Sequence, residues 1–168
     1  MSALPRPEVP VLSFRRVREN DIEAVAAIEK RAYEFPWTAG NFRDAMLSGY
    51  RFWCCWQATP EGDQLVGYAI IMLAVDEAHL LNLAVDPRFQ GRGIGRRILA
   101  YAIDDAARKE CRMLFLEVRP SNAVARTLYA TAGFTQHGIR KGYYPARNGR
   151  EDALFLGVEL PWIERPRP

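Results

Sequence analysis

Three closely spaced glycines after an apolar segment constrain this chain more than any other feature of its sequence. Residues 79–85 form an apolar strand candidate that Pro87 ends, and Gly91, Gly93 and Gly95 then lead into a predicted helix. Glycine has no Cβ and readily adopts positive φ, so the backbone can approach a ligand closely there. Free N–H groups and the positive dipole end of a helix favour an anion such as phosphate. The pattern predicts a pyrophosphate cradle, with an ordinary strand-to-helix turn as the alternative.

Two common phosphate-binding loops do not fit this segment. A P-loop requires Gly-Lys followed by Ser or Thr, and the chain contains no such tripeptide. A dinucleotide-binding fingerprint requires a third glycine at the position that Arg96 occupies. The sequence therefore argues against nucleotide hydrolysis and against dinucleotide-dependent redox chemistry. The remaining pattern, Gln90-x-x-Gly93-x-Gly95 after Asp-Pro, resembles the coenzyme A pyrophosphate signature of the GCN5-related N-acetyltransferases (the GNAT family).

Composition places the chain among globular proteins. Its 168 residues suit one domain, and 49% hydrophobic with 26% charged residues is typical of a folded core with a polar surface. The net charge of +3 is too small to indicate nucleic-acid binding, although it is compatible with an anionic cofactor. We therefore expect no direct nucleic-acid partner.

Cysteine, histidine and terminal residues bear on location and metal binding. The three cysteines show neither a disulfide framework nor zinc spacing, and His79 and His137 stand apart in the sequence. We therefore expect no metal. The N-terminus has no apolar signal core, and no segment approaches the length of a membrane span. These features predict a cytoplasmic protein with no membrane partner.

The periodicity of apolar residues predicts the element order βααβββαβαββ. Asn20 or Asp21 is expected to cap the first helix and Thr38 the second. The order indicates an α/β (α+β) protein in which helices cover a largely antiparallel sheet. Residues 1–10 are expected to be a flexible lead-in, residues 11–160 one domain, and residues 161–168 a tail.

Glu117 is a candidate general base. It lies in the predicted strand Leu-Phe-Leu-Glu-Val at 114–118, where the neighbouring residues in the sequence are apolar. Burial disfavours the charged form and is expected to raise its pKa above the ordinary value of about 4.3, which suits a base near neutrality. The alternative is a structural glutamate paired with Arg119 or Arg140.

Tyr129 is a candidate general acid. It lies on an apolar stripe of the next predicted helix, and its phenol, with an ordinary pKa of about 10, matches protonation of a departing thiolate. Packing in the core is the alternative for Tyr129. Asn122 could cap that helix or bind the pantetheine arm of a coenzyme A cofactor.

Further motifs along most of the chain resemble the RimI family of bacterial ribosomal-protein-alanine acetyltransferases. They are Leu-Asn-Leu-Ala-Val-Asp-Pro, Gln-Gly-Arg-Gly-Ile-Gly, Leu-Glu-Val-Arg-x-Ser-Asn, Leu-Tyr, Gly-Phe, Tyr-Tyr-Pro, Gly-Arg-Glu-Asp-Ala and the earlier Phe35-Pro36-Trp37. The resemblance implies a single-domain GNAT acyl-CoA N-acyltransferase fold, with a mixed central sheet flanked by helices. It also implies that the base is Glu117 and that the acid is Tyr129.

The same resemblance implies acetyl-CoA as cosubstrate and a protein N-terminus as acceptor. The family's acetyl-CoA contacts fall on Leu83, Ala84, Val85, Gln90, Gly91, Arg92, Gly93, Ile94, Gly95, Arg96 and Asn122. Its target class is the N-terminal alanine of a small-subunit ribosomal protein. A lysine side chain is an alternative acceptor, and a non-catalytic acyl-CoA-binding module is an alternative of another class.

Two aromatic segments are candidates for the walls of a peptide groove. Phe35 and Trp37 form one segment, and Tyr143 and Tyr144 form the other. Aromatic side chains provide rigid contact area for a peptide. Plain packing of loop ends is the alternative.

Overall fold

The apolar segments of the chain form strands and helices in the predicted order in the computed structural model, which describes residues 8–161. The strands are β1 (Leu12–Arg16), β2 (Arg51–Thr59), β3 (Gly62–Ala74), β4 (Glu77–Val85), β5 (Met113–Val118), β6 (Thr135–Ala146) and β7 (Gly149–Glu159), and the helices are α1 (Ile22–Ala32), α2 (Ala39–Leu47), α3 (Ile94–Arg108) and α4 (Ala123–Thr131). Single 3-10 turns cover Glu19–Asp21 and Pro87–Phe89. The predicted element order is confirmed.

The strands form one mixed sheet with the order β1-β2-β3-β4-β5-β7-β6. Every neighbouring pair is antiparallel except β4 and β5, which are parallel. That parallel pairing is short, because it joins only residues 77–79 to residues 113–115. Beyond it the two strands diverge and leave an open wedge in the sheet. A strand edge without a neighbour presents backbone N–H and C=O groups, so this wedge is suited to binding a ligand.

Helices cover both faces of the sheet, as predicted. On one face, α1 and α2 pack on β2 and β3 through buried side chains that include Ile28, Phe42, Phe52, Tyr68 and Ile70. On the other face, α3 and α4 pack on β3, β4 and β5 through a second cluster that includes Ile98, Leu99, Leu114, Leu116 and Tyr129. The alternation of side chains along each strand supplies both cores from the same sheet.

Two of the predicted helix caps are confirmed, and for the third Asp21 occupies the N-cap position of α1 without a side-chain hydrogen bond to the helix. The Thr38 hydroxyl accepts from the Asn41 N–H at 3.1 Å, and Asn122 Oδ1 accepts from the Ala125 N–H at 3.1 Å. Neither Asn20 nor Asp21 caps α1 through its side chain. Asp21 is already helical in φ and ψ, at the end of the preceding 3-10 turn, and its carboxylate instead accepts from the Arg18 N–H.

Most of the predicted lead-in and tail lie outside the described residues, namely residues 1–7 and 162–168. Between residues 8 and 161, no helix is long and apolar enough to cross a membrane.

Gly67 allows β3 to lie close to both β4 and α3 near the open wedge. A Cβ atom built there would be 2.5 Å from the carbonyl oxygen of Ala84 and 2.6 Å from Ile98 Cδ1. Because the first of these neighbours is backbone, Gly67→Ala is expected to lower the free energy of unfolding by about 1–3 kcal/mol. Urea denaturation measures the change. Gly138→Ala is the matched control, since no heavy atom lies within 4 Å of its Cβ position. Equal losses in the two variants would contradict this explanation.

Candidate active site

A cavity of about 720 Å³ opens in the wedge between β4 and β5. Its walls come from the end of α1, the segment leading to α2, the two diverging strands, α4 and the β6–β7 hairpin. Seven of the residues that the sequence predicts for the site line this one cavity: Leu83, Glu117, Asn122, Tyr129, Phe35, Trp37 and Tyr144. The fold therefore brings the predicted base, the predicted acid and most of the predicted groove residues to one place.

The Glu117 carboxylate is held by two partners on neighbouring strands. Its side chain is 10% exposed; Oε1 accepts from Arg140 Nε at 2.9 Å, and Oε2 lies 2.5 Å from His79 Nε2. Burial by itself would raise the pKa of Glu117, but the hydrogen bonds and charges of His79 and Arg140 outweigh it and lower that pKa below its ordinary value. The expected rise is therefore wrong, because the carboxylate is paired and not isolated.

The pairing of Glu117 also corrects two details of the sequence interpretation. Arg140 contacts Glu117, as the structural alternative proposed, whereas Arg119 pairs with Glu151. His79 is not isolated, because the short parallel pairing of β4 and β5 places it opposite Phe115. The sequence carries no local signal for this contact, since the register of two distant strands decides it.

Tyr129 is both a core residue and part of the cavity wall. Its ring packs edge-on against Phe134, with 5.5 Å between centroids, and burial raises its pKa to about 12. Burial also raises the pKa values of Tyr33 and Tyr144, which line the same cavity. The Tyr33 hydroxyl already donates to the Leu83 carbonyl oxygen. Of these tyrosines, Tyr33 is therefore already engaged in a hydrogen bond to the backbone of β4.

The backbone of β4 presents alternate residues to the open wedge. The Asp86 N–H donates to the Val66 carbonyl at 2.8 Å, and the register then pairs Val85 with Gly67, Ala84 with Tyr68 and Leu83 with Ala69. Hydrogen-bonded and non-hydrogen-bonded pairs alternate in an antiparallel ladder. Ala84 therefore bonds back to β3, whereas the backbone groups of Leu83 and Val85 point towards the wedge.

Side chains already donate hydrogen bonds to the carbonyl oxygens at this edge. Tyr33 donates to the Leu83 carbonyl, and the Gln90 amide donates to the Val85 carbonyl at 3.1 Å. The edge therefore offers N–H donors to a ligand in the cavity. Gln90, predicted as a cofactor contact, braces the end of the strand in this structure.

Asp86 fixes the end of β4 beside the glycine turn. Its fully buried carboxylate accepts from Arg88 and from Arg31 of α1, each at 2.7 Å. The hydrogen bonds from Arg88 are the largest of the effects that lower the pKa of Asp86 well below its ordinary range. The ion pair between Asp86 and Arg31 fixes the end of β4 to α1.

The glycine turn has the backbone geometry that the sequence predicts. Gly91 and Gly93 have φ values of +78° and +76°, and Gly93 precedes α3 without any side chain capping the helix. The N–H groups of the first turn, which includes Gly95 and Arg96, are thus left for an anion.

The side chain of Ile94 is 1% exposed and belongs to the core, so only its backbone could contact a cofactor. None of the residues from Gln90 to Arg96 lines the 720 Å³ cavity, so the turn forms a separate region beside it.

Arg119 joins the two aromatic segments at the mouth of the cavity. Its guanidinium lies 5.2 Å from the Phe35 ring and 4.4 Å from the Tyr144 ring, and it donates to the Pro145 carbonyl at 2.8 Å. An ion pair between Arg147 and Glu34 links the same two segments. Tyr143 packs against Tyr144 but does not line the cavity.

Glu29 is a buried residue of the site to which sequence reasoning assigned no role. It is 2% exposed, and it accepts from the Tyr68 hydroxyl, from Asn82 Nδ2 at 3.1 Å and from the Trp37 N–H at 3.2 Å. Burial raises the pKa of Glu29. Its place on the apolar face of α1 was the available signal, because a carboxylate there needs partners. The Glu29 network holds the Phe35–Trp37 segment against the sheet.

Comparisons with known proteins show the family to which this chain belongs. Residues 22–134 match the model of the Acetyltransferase (GNAT) family. The chain is 41% identical over 140 residues to the [ribosomal protein bS18]-alanine N-acetyltransferase of Escherichia coli, covering 83% of this chain and 92% of that protein. The crystal structure of the ribosomal-protein-S18-alanine N-acetyltransferase from E. coli superposes with a TM-score of 0.81 at 34% identity, covering 94% of this chain and 99% of the other.

A more distant structure has the same fold. YncA from Salmonella typhimurium, solved with its cofactor acetyl-CoA, matches with a TM-score of 0.72 at 20% identity, over 94% of this chain and 98% of the other. In the part of this chain that the structure describes, no group of three or more His, Cys, Asp or Glu side chains is placed to hold a metal ion. The family match covers more than half of the chain, and the E. coli relative is named as an N-acetyltransferase. This chain belongs to the acetyltransferase (GNAT) family and is an N-acetyltransferase.

Proposed function

We propose that this enzyme transfers the acetyl group of acetyl-CoA to the N-terminal α-amine of a protein, with the N-terminal alanine of a small-subunit ribosomal protein as its target. The observation that carries the proposal is that Glu117 and Tyr129 line the same cavity, beside the open edge of β4. The name of the 41% identical E. coli relative supports bS18 as the target class.

The residues around the wedge fit acetyl-CoA, whose thioester supplies the acetyl group. The N–H groups of Leu83 and Val85 match the carbonyl oxygens of the acetyl group and the pantetheine arm. The uncapped start of α3, at Arg92–Arg96, suits the pyrophosphate. Asn122 uses Oδ1 to cap α4, which leaves its Nδ2 group as a donor towards the cavity that it lines.

Glu117 would accept the proton that the acceptor amine must lose before it attacks the thioester. An α-amine has a pKa near 8 and is largely protonated at neutral pH. Because the pKa of Glu117 is lowered, its carboxylate stays ionised throughout the neutral range and is ready to take that proton, directly or through water. The proton transfer has less driving force than a raised pKa would give, so accurate positioning matters more.

Tyr129 would give its proton to the thiolate that leaves when the new amide forms. The phenol lies in a buried wall of the cavity, and its pKa of about 12 keeps it protonated until a thiolate develops. A protonated tyrosine and an ionised glutamate in one site divide the acid and base roles between them. This division favours an enzyme over a non-catalytic acyl-CoA-binding module.

Acceptor choice is expected to lie at the mouth that Arg119 holds between Phe35 and Tyr144. We expect the enzyme to acetylate a peptide beginning with Ala at least about 10-fold faster than a peptide whose only amine is an internal lysine. The higher pKa of lysine, near 10.4, makes its deprotonation harder. Mass spectrometry of peptides beginning with Ala, Ser or Met, and of the lysine peptide with a blocked N-terminus, locates the acetyl group.

Two outcomes of the peptide experiment would contradict the proposal. Acetylation of the lysine peptide alone would assign the enzyme to side-chain amines. Binding of acetyl-CoA without thiol release from any peptide would favour the binding module.

A further inference from the structure

His79 is the nearest titratable neighbour of the proposed base. Its Nε2 atom lies 2.5 Å from Glu117 Oε2, and the two side chains are 23% and 10% exposed. An ionised carboxylate only accepts hydrogen bonds, so His79 Nε2 must carry a hydrogen while Glu117 is charged. A second proton can then add only at Nδ1, which turns the neutral ring into an imidazolium.

We propose that His79 is a positioning residue that keeps Glu117 competent as a base only while the His79 ring is neutral. The inference rests on the proposed role of Glu117 and adds a residue that controls it. In the neutral ring, the Nε2–H group orients the carboxylate without adding charge. In the imidazolium, the same contact becomes an ion pair that stabilises the carboxylate and weakens its affinity for the amine proton.

The half-buried setting makes this difference large enough to matter. Charges a few ångströms apart interact more strongly where water is partly excluded than they do in bulk solvent. Two groups in such contact titrate as a unit, so the pH dependence belongs to the Glu117–His79 pair. The active state of the pair has one negative charge, and protonation of the ring removes it.

Other charged and titratable groups around the pair come from β4 and β6. Arg140 is fixed in charge, so it lowers the proton affinity of Glu117 by the same amount at every pH in the working range. Tyr144 has its pKa raised by burial and stays neutral there. Glu77 lies two residues before His79 on the same face of β4, and His137 lies across the Phe155 ring, with 6.5 Å between their centroids. His79 is thus the residue in contact with Glu117 that belongs to a side-chain type able to change its charge between about pH 5 and pH 8.

The test is the pH dependence of kcat/KM between roughly pH 5 and pH 9, with an Ala-starting peptide and saturating acetyl-CoA. His79→Gln keeps a hydrogen-bond donor towards Glu117 but cannot titrate. In this variant, the fall of kcat/KM towards low pH (the acid limb of the profile) should lie about 1–2 pH units below that of the unchanged enzyme. The reason is that the ordinary pKa values of His and Glu differ by about 2 units. At about pH 8, its kcat/KM should stay within about 3-fold of the unchanged enzyme. His79→Leu removes the donor together with the ring, and should lower kcat about 10-fold near pH 8, where the His79 ring of the unchanged enzyme is expected to be neutral.

His137→Gln is the matched control, because it removes the other histidine of the chain, whose ring packs against Phe115 and Phe155. Its acid limb should coincide with that of the unchanged enzyme. With only two histidines in the sequence, the same variant assigns their NMR signals, and the midpoint of the His79 titration should match the acid limb.

The possible failures are distinguishable. An unchanged acid limb in His79→Gln, with Glu117→Gln inactive, would overturn the role of His79 and leave Glu117 as the base. Full kcat in Glu117→Gln would instead overturn the proposed function of Glu117. A His79 titration whose midpoint lies far from the acid limb would also contradict the inference.

Discussion

Glu117→Gln is expected to lower kcat/KM by about 10²–10⁴-fold and to leave acetyl-CoA binding nearly unchanged. The amide keeps the shape of the side chain and its Oε1 can still accept from Arg140, but it cannot accept the amine proton. The β4 edge and the glycine turn, which are expected to bind the cosubstrate, remain intact. Thiol release measures turnover, and isothermal titration calorimetry measures the affinity for acetyl-CoA.

The control for the glutamate variant removes the same charge far from the cavity. Glu19 forms an exposed ion pair with Arg43, and its side chain is 60% exposed. Glu19→Gln should leave kcat/KM unchanged, and both variants should unfold at similar temperatures. If Glu117→Gln retained full turnover, the amine would have to lose its proton to another group.

Tyr129→Phe is expected to lower kcat by about 10²-fold with little loss of stability. The variant keeps the ring that packs against Phe134 and removes only the hydroxyl group that would protonate the leaving thiolate. Single-turnover measurements of acetyl transfer separate this chemical step from product release. Thermal unfolding checks that the core has not changed.

Two further tyrosine variants make the assignment of the acid specific. Tyr101→Phe changes a ring on α3 that stacks on Phe14, and this control should keep full activity. Tyr33→Phe breaks the hydrogen bond to the Leu83 carbonyl, so its main effect should be on KM for acetyl-CoA. A large loss of kcat in Tyr33→Phe, with none in Tyr129→Phe, would transfer the acid role to Tyr33.

Local sequence patterns were sufficient for the order of the elements and for several of their ends. Thr38 and Asn122 cap helices as their residue types predict, because a short polar side chain can satisfy the free N–H groups of a first turn. Alternation in β5 placed Glu117 on the face opposite Leu114 and Leu116. Asp21 occupies the N-cap position of α1, but its carboxylate accepts from the Arg18 N–H in the preceding 3-10 turn and does not bond to the helix.

The sequence could not predict the chemical state of the site. A carboxylate in an apolar strand suggested a raised pKa, whereas Arg140 and His79 lower it from strands β6 and β4. Likewise, the network of Glu29 with Asn82 and Tyr68 joins three separate elements. These contacts depend on strand register, which no local pattern in the sequence reveals.

The sequence by itself determined the family, the element order and the glycine turn before α3, because backbone sterics and side-chain periodicity act between near neighbours. Tertiary structure alone decided that β4 and β5 diverge, that Leu83 and Val85 face the opening, and that His79 meets Glu117. The physical reason is that hydrogen bonding and ionisation respond to distance in space. Residues 79 and 117 are far apart along the chain, and only the folded sheet brings them into contact.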